Sequence, residues 1–173
     1  CDIASSQQSL ELATKHLQYS TAGIHPHDAK TATNELEAQL TVLANNKHVI
    51  AIGECGLDYN RDFSPRDVQR SVFRRQLALA EKLDLPVYLH ERDASDDMLS
   101  ILKEFSIRGV LHCFTGNSAA LKQYLDLGLY IGITGWVCDE RRGKDLQQLV
   151  PSIPLDRLLI ETDAPFLIPR TVK

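Results

Sequence analysis

Five side chains able to hold a metal ion or move a proton each close an apolar run. They are His25 in STAGIH, Glu54 in VIAIGE, His90 in LPVYLH, His112 in GVLH and Asp163 in LLIETD. Imidazole nitrogens and carboxylate oxygens form the donor set of a hydrolytic site with one or two divalent cations. A carboxylate can bridge two cations, and Glu54 suits that role. Imidazoles fix the ions and leave a position open for water. Asp163 could ligate, take a proton from the attacking water, or do both. In a two-metal site the ions stand ~3.5–4 Å apart and clamp the attacking and leaving oxygens of a phosphoryl group. A single histidine at a core rim is explained by hydrogen bonding. A set of this composition, each member closing a strand-like run, points instead to the strand ends where barrel enzymes gather their chemistry.

The elements that must position these residues are legible as hydrophobic patterns. Residues 19–25, 49–54, 86–91, 109–114, 129–135 and 157–162 read as strands, nearly continuous in apolar character, as parallel strands buried on both faces are. Amphipathic segments lie between them. Ser64 is expected to cap the clearest, running to Asp84, with Pro65 at its first position and Asp67 completing a capping box. Val68, Val72, Phe73, Leu77, Ala80 and Leu83 then recur at helical spacing. Leu36, Leu40 and Leu43 repeat the pattern in the unit before, and Met98, Leu99, Leu102 and Phe105 in the unit after. Leu121 and Leu125 follow, with Gly128 as a C-cap. Strand ends recur at about one βα unit of ~30 residues.

Two folds accept this alternation, an open doubly wound sheet and a closed (β/α)8 barrel. Neither G-x-G-x-x-G nor G-x-x-x-x-G-K-[ST] occurs, which removes the nucleotide-binding signatures of the first. Polar residues at the strand ends favour the barrel. The expected architecture is a single domain over residues 1–173, a TIM barrel of about six βα units lacking two strands, whose absence leaves sheet edges exposed.

Composition narrows the function classes. The chain has 173 residues, 43% hydrophobic and 24% charged, with a formal net charge of −4. An acidic balance gives no general affinity for nucleic acid, so such binding needs a local basic rim or bound cations. No run approaches the ~18 apolar residues of a membrane span. Cys1, Cys55, Cys113 and Cys138 form no C-x-x-C pair and read as thiols of a reducing, cytoplasmic setting, with Cys55 and Cys113 as small buried residues.

Several further residues have two readings. Trp136, Arg141 and Arg142 follow the strand ending at Gly135, where an indole can stack on a base and a guanidinium can fork onto phosphate; a packed loop with solvated charges is the plainer reading. Arg92 could meet a phosphate or orient a carboxylate. Asp58, just past Glu54, could hold a ligand histidine or make a turn. Glu161 shares a face with Asp163 and is either a partner of a metal ligand or a salt-bridge residue. Gly53 and Gly56 bracket Glu54 and Cys55 and allow close backbone approach to a ligand.

The strings GIHPHD, AIGECGLDY, LPVYLHERDA, LHCFTG, IGITGW and LLIETDAPFLIPR resemble the TatD family of metal-dependent deoxyribonucleases, from about residue 19 to 170. The resemblance implies an amidohydrolase-like TIM barrel that hydrolyses phosphodiester bonds with Mg²⁺ or another divalent ion. It implies a 3′→5′ exonuclease acting on single-stranded DNA ends, with RNA as a further substrate. Carried onto these positions, it makes Glu54, His90 and His112 metal ligands, with Glu54 able to bridge. Asp163 becomes a ligand of the other metal position and the base. His25 and His27, in the H-P-H segment, face substrate phosphate. Arg92, Trp136 and Arg141 complete the expected substrate contacts of a protein that works as a monomer. Family members begin with a first strand that often bears H-x-H, two further ligands, and this chain starts after it. The three histidines lean toward Mn²⁺ or Zn²⁺ by ligand preference, while the family leans toward Mg²⁺. The same donor set would serve a carbonyl ester or amide hydrolase, such as an aminoacyl-tRNA deacylase. A non-catalytic nucleic-acid-binding fragment is the third reading.

Overall fold

The computed structural model describes residues 2–167, in two compact units, one up to residue 109 and one from residue 110. Cys1 and the end of the last quoted string, residues 168–170, lie outside the described residues. The first unit runs α1 (Ile3–His16), β1 (Ser20–Ala22), α2 (Leu36–Ala44), β2 (Val49–Asp58), α3 (Arg66–Leu83), β3 (Val87–Arg92) and α4 (Ser95–Leu102). Its strands pair in parallel, β1 with β2 and β2 with β3. The second unit takes up β4 (Gly109–Leu111), then α5 (Ser118–Asp126), β5 (Tyr130–Ile133), α6 (Lys144–Leu149) and β6 (Leu158–Ile160). There β4 pairs with β5 and β5 with β6, again in parallel. All six expected strands are present, and none of the described helices is long and apolar enough to cross a membrane.

The first core lies between β2 and the helices. Val49, Ala51, Ile52, Cys55 and Leu57 of β2 are buried, as are Val72, Phe73, Leu77 and Ala80 of α3. At ~1.5–3 kcal/mol per large apolar side chain removed from water, this stripe holds α3 in place. Asp84, at φ 52°, closes α3 by donating its N–H to Ala80 and Glu81 carbonyls. The cap at the other end differs from the sequence expectation. Pro65 is the N-cap residue and no side chain caps the helix. The Ser64 hydroxyl is committed elsewhere, donating to the His27 carbonyl at 2.8 Å and accepting the Lys30 N–H at 3.1 Å. It braces the loop after β1.

The strand ends also differ. Glu54 lies inside β2 and His90 inside β3, whereas His25, His112 and Asp163 lie beyond β1, β4 and β6. Side-chain hydrogen bonds end β1 and β4 early. Both the N–H and the carbonyl of Ile24 go to the Gln76 amide, at 2.7 and 3.0 Å. The Cys113 N–H goes to Glu161 Oε1 at 2.6 Å. Helix α1 has no counterpart in the sequence reading, because its buried residues are the small Ser6 and Ala13. In α5 the fully buried aromatic is Tyr124, while Leu125 is half-buried.

Candidate metal centres

In the first unit the site is built on the register of β2 against β3. Gly53 (φ 143°) and Gly56 (φ 147°) flank Glu54 and Cys55, and a Cβ on either would meet the Tyr88 or His90 carbonyl oxygen at 2.2 or 1.9 Å. These glycines serve close approach between neighbouring strands, where the expectation was approach to a ligand. The pairing slips between Gly53 and Cys55, and such a bulge re-aims a side chain. Glu54 projects from it, half-buried, and its Oε1 accepts from His90 Nδ1 at 2.9 Å. Four residues on, still in β2, Asp58 receives the other His90 nitrogen, Nε2, at 3.2 Å and His27 Nε2 at 2.7 Å. Asp58 is 3% exposed, and its second oxygen accepts the Asn60 and Arg61 N–H groups. It therefore does both things considered for it, holding a histidine and making a turn.

His25 stands 3.6 Å from Glu54 through Nε2, with its ring 4.3 Å from that of His90. Candidate ligand atoms of His25, Glu54 and His90 all lie within 4.8 Å of one another. The donor set fits a divalent cation: a carboxylate and an imidazole converge, and Asp58 behind His90 is the partner a ligating imidazole needs. Burial would lower the pKa of His90, but its hydrogen bonds to Asp58 and Glu54 outweigh that and raise it to about 9. Burial, reinforced by the charge of His90, pushes His25 down to about 3, so His25 is neutral. Its Nδ1 accepts the His27 backbone N–H at 3.2 Å, which leaves the ring proton on Nε2. His25 therefore presents an N–H donor toward Glu54, chemistry better suited to a phosphate oxygen than to a cation.

In the second unit His112, 7% exposed, takes the same place between two carboxylates. Its Nδ1 meets Glu161 Oε1 at 2.8 Å and its Nε2 meets Asp163 Oδ1 at 3.2 Å. Glu161 is thus the partner of a candidate metal ligand, and it fits because Gly132 has no side chain: a Cβ there would lie 2.1 Å from Glu161 Oε1. Cys113 joins His112 and Asp163 in a second group whose donor atoms fall within 4.8 Å of one another. Its thiol, half-buried, lies 3.1 Å from the Thr134 hydroxyl. Cys55 is the fully buried thiol expected, kept protonated by desolvation. An apolar cavity of about 490 Å³, lined in part by Ile133, Cys138, Leu158 and Phe166, opens beside Glu161 and Asp163.

The remaining expected contacts are placed less directly. Arg92 ends β3, half-buried, its carbonyl accepting the Tyr59 N–H. Trp136 is the second residue of a short 3-10 turn, Gly135–Cys138, capped by Thr134. The Arg142 guanidinium lies over the Trp136 ring at 4.4 Å, so a stacked base would need the opposite face. Arg141, largely exposed, reaches Asp139 at 3.6 Å, and Arg142 reaches it at 3.0 Å. Two residues escaped the sequence reading altogether, Gln69 and Gln76 of α3. Both are buried; Gln76 fixes Ile24, next to His25, and Gln69 fixes the Asp58 N–H at 2.8 Å and carbonyl at 3.1 Å. Their signal was present as polar residues on the buried stripe of Val72, Phe73, Leu77 and Ala80.

Solved structures share this fold. A TatD homolog from Escherichia coli k12 superposes with a TM-score of 0.88 at 30% identity, covering 96% of this chain and 66% of that one. A TatD family hydrolase from Entamoeba histolytica gives 0.83 at 31% identity, covering 94% and 57%. The parallel α/β architecture is thus that of the amidohydrolase-like TIM barrels. The sequence matches the model of the TatD related DNase family over residues 1–173, and the chain belongs to that family. Proteins named 3'-5' ssDNA/RNA exonuclease TatD from Erwinia tasmaniensis and Erwinia amylovora are 53% and 55% identical over 97% of this chain. The chain spans about two thirds of the length of these relatives, 67% in each case.

Proposed function

We propose that this chain is the metal-binding part of a phosphodiester hydrolase that removes nucleotides from the 3′ ends of single-stranded DNA and RNA, and that both units belong to one catalytic domain. The carrying observation is the pair of carboxylate–imidazole–carboxylate groups, Glu54–His90–Asp58 and Asp163–His112–Glu161, in a member of the TatD related DNase family. Glu54 with His90, and His112 with Asp163, are the metal-holding side chains, for Mg²⁺ by family resemblance and for Mn²⁺ or Zn²⁺ by donor type. Bound divalent cations would lower the pKa of water and offset phosphate charge, which an acidic protein otherwise repels.

The protein's own groups supply the rest. Asp163, with its side chain 36% exposed, takes the proton of the attacking water and passes it to solvent. Asp58 and Glu161 hold the two imidazoles in place. His25 donates its Nε2–H to a phosphate oxygen. His27, Arg92, Trp136 and Arg141 complete the substrate contacts. The free thiols of Cys55, Cys113 and Cys138 support a reducing, cytoplasmic setting. The test is cleavage of 3′-labelled and 5′-labelled single strands by chelated protein after return of each metal. Activity abolished by chelation, and lost in Glu54→Ala, His112→Ala and Asp163→Ala proteins that stay folded, supports the reading. Full activity of Glu54→Ala overturns it. Turnover of ester or amide substrates with oligonucleotides untouched would point to carbonyl chemistry at the same donors.

A further inference from the structure

The loop between β2 and α3 is braced at nearly every residue yet leaves an aromatic ring in solvent beside the first metal centre. Asp58 Oδ1 accepts the N–H groups of Asn60 and Arg61. Asn60 donates to Asp93 at 2.8 Å, Arg66 holds Asp62 and covers the Tyr59 ring at 4.4 Å, and Lys30 Nζ donates to the Phe63 carbonyl at 3.0 Å. Ser64 is tied to His27 and Lys30. Within this frame Phe63 is 55% exposed, and its ring stands 4.8 Å from that of His27, at an interplanar angle of 72°. His27 in turn shares Asp58 with His90. Arg61, exposed two residues before Phe63, forms no ion pair among the described residues.

An apolar ring exposed to water is unfavourable for the free protein and favourable for a planar ligand, and the braced loop that carries it has little backbone freedom left to lose on binding. Every nucleobase has such a face, and base–aromatic stacking needs no sequence readout. A base can reach the ring only when it is unpaired. We propose that Phe63 is the base-stacking platform of the first metal centre. There it selects unpaired nucleotides, with Arg61 steadying the adjoining phosphate. This rests on the nucleic-acid reading above and adds the residue that discriminates single from double strands.

The test is equilibrium binding, by fluorescence anisotropy with divalent metal present and Asp163→Ala carried in every protein so that nothing is cleaved. A labelled oligothymidylate, the same chain with abasic residues, and a blunt duplex are the probes, with position 63 wild type, Phe63→Leu and Phe63→Trp compared. Stacking predicts about a tenfold rise in Kd for oligothymidylate in Phe63→Leu. It also predicts near-wild-type affinity in Phe63→Trp, and no effect of either variant on the abasic chain. Equal oligothymidylate affinity in wild type and Phe63→Leu, or an equal loss on the abasic chain, overturns it. Cleavage assays of wild type with each metal separate the two readings. Cleavage together with an unaffected Phe63→Leu removes the stacking role alone. No cleavage of any oligonucleotide at any metal concentration removes both.

Discussion

In the first unit His90 lies between two carboxylates carried by a single neighbouring strand, Glu54 and Asp58 of β2. In the second, His112 lies between Glu161 and Asp163, both on chain that has already left β6. The donor chemistry is nearly the same and the support is different. Ladder hydrogen bonds and a bulge fix the first pair. The second depends on the Glu161 hydrogen bond to the Cys113 N–H and on the space above Gly132. Exposure divides the labour. The Asp58 side chain is 4% exposed and can only hold its histidines, whereas that of Asp163 is 36% exposed and can exchange a proton with water. The second group also offers a thiol, Cys113, which tilts it toward softer cations.

This contrast is open to direct attack. The largest effects are expected from the outer carboxylates. Asp163→Ala should lower kcat on single strands by about 100- to 10,000-fold, the range for loss of an acid–base group, and Glu54→Ala should abolish activity by removing a metal-holding carboxylate. Steady-state assays on folded variants would show it. Next come the inner carboxylates. If Asp58 and Glu161 play one role in two settings, Asp58→Asn and Glu161→Gln should each weaken metal binding by about 10- to 100-fold in calorimetric titration. A loss in only one of them would break the equivalence.

Gln76→Leu should destabilise the first unit by about 1–3 kcal/mol for each backbone group of Ile24 left unpaired, read by denaturant melts. His90 gives a pH signature. Its pKa is raised from 6.5 to about 9, so the folded chain holds the proton more tightly than the unfolded one. The stability this contributes is full below about 6.5 and lost as pH rises through about 9. Metal-free protein should therefore weaken over that window, while saturating metal, which must displace a proton and binds better at high pH, should oppose the trend. The smallest change should come from Cys113→Ser, a shift of metal preference from Zn²⁺ toward Mg²⁺ in competition titrations, with little loss of stability.

Much of this was written in residue order. Near-continuous apolar runs announced the parallel strands, and helical spacing announced α2 to α5, because burial on two faces or one stripe leaves a direct imprint on hydrophobicity. The donor residues were legible by type. Their companions were less so. Asp58 and Glu161 each had two open readings, since spacing places a carboxylate near a strand end without saying which nitrogen it meets. Gln69 and Gln76 were hidden in an otherwise apolar stripe, and α1 in a helix whose buried face is serine and alanine.

The sequence by itself determined the family, the parallel α/β class and the donor set. Tertiary structure decided which residues lie within strands and which just beyond them, because that depends on side chains such as Gln76 and Glu161 capturing backbone groups from far along the chain. It also decided protonation. Whether His25 is a neutral N–H donor and His90 a charged clamp depends on burial and on the carboxylates within 4 Å, and neither is a property of local sequence.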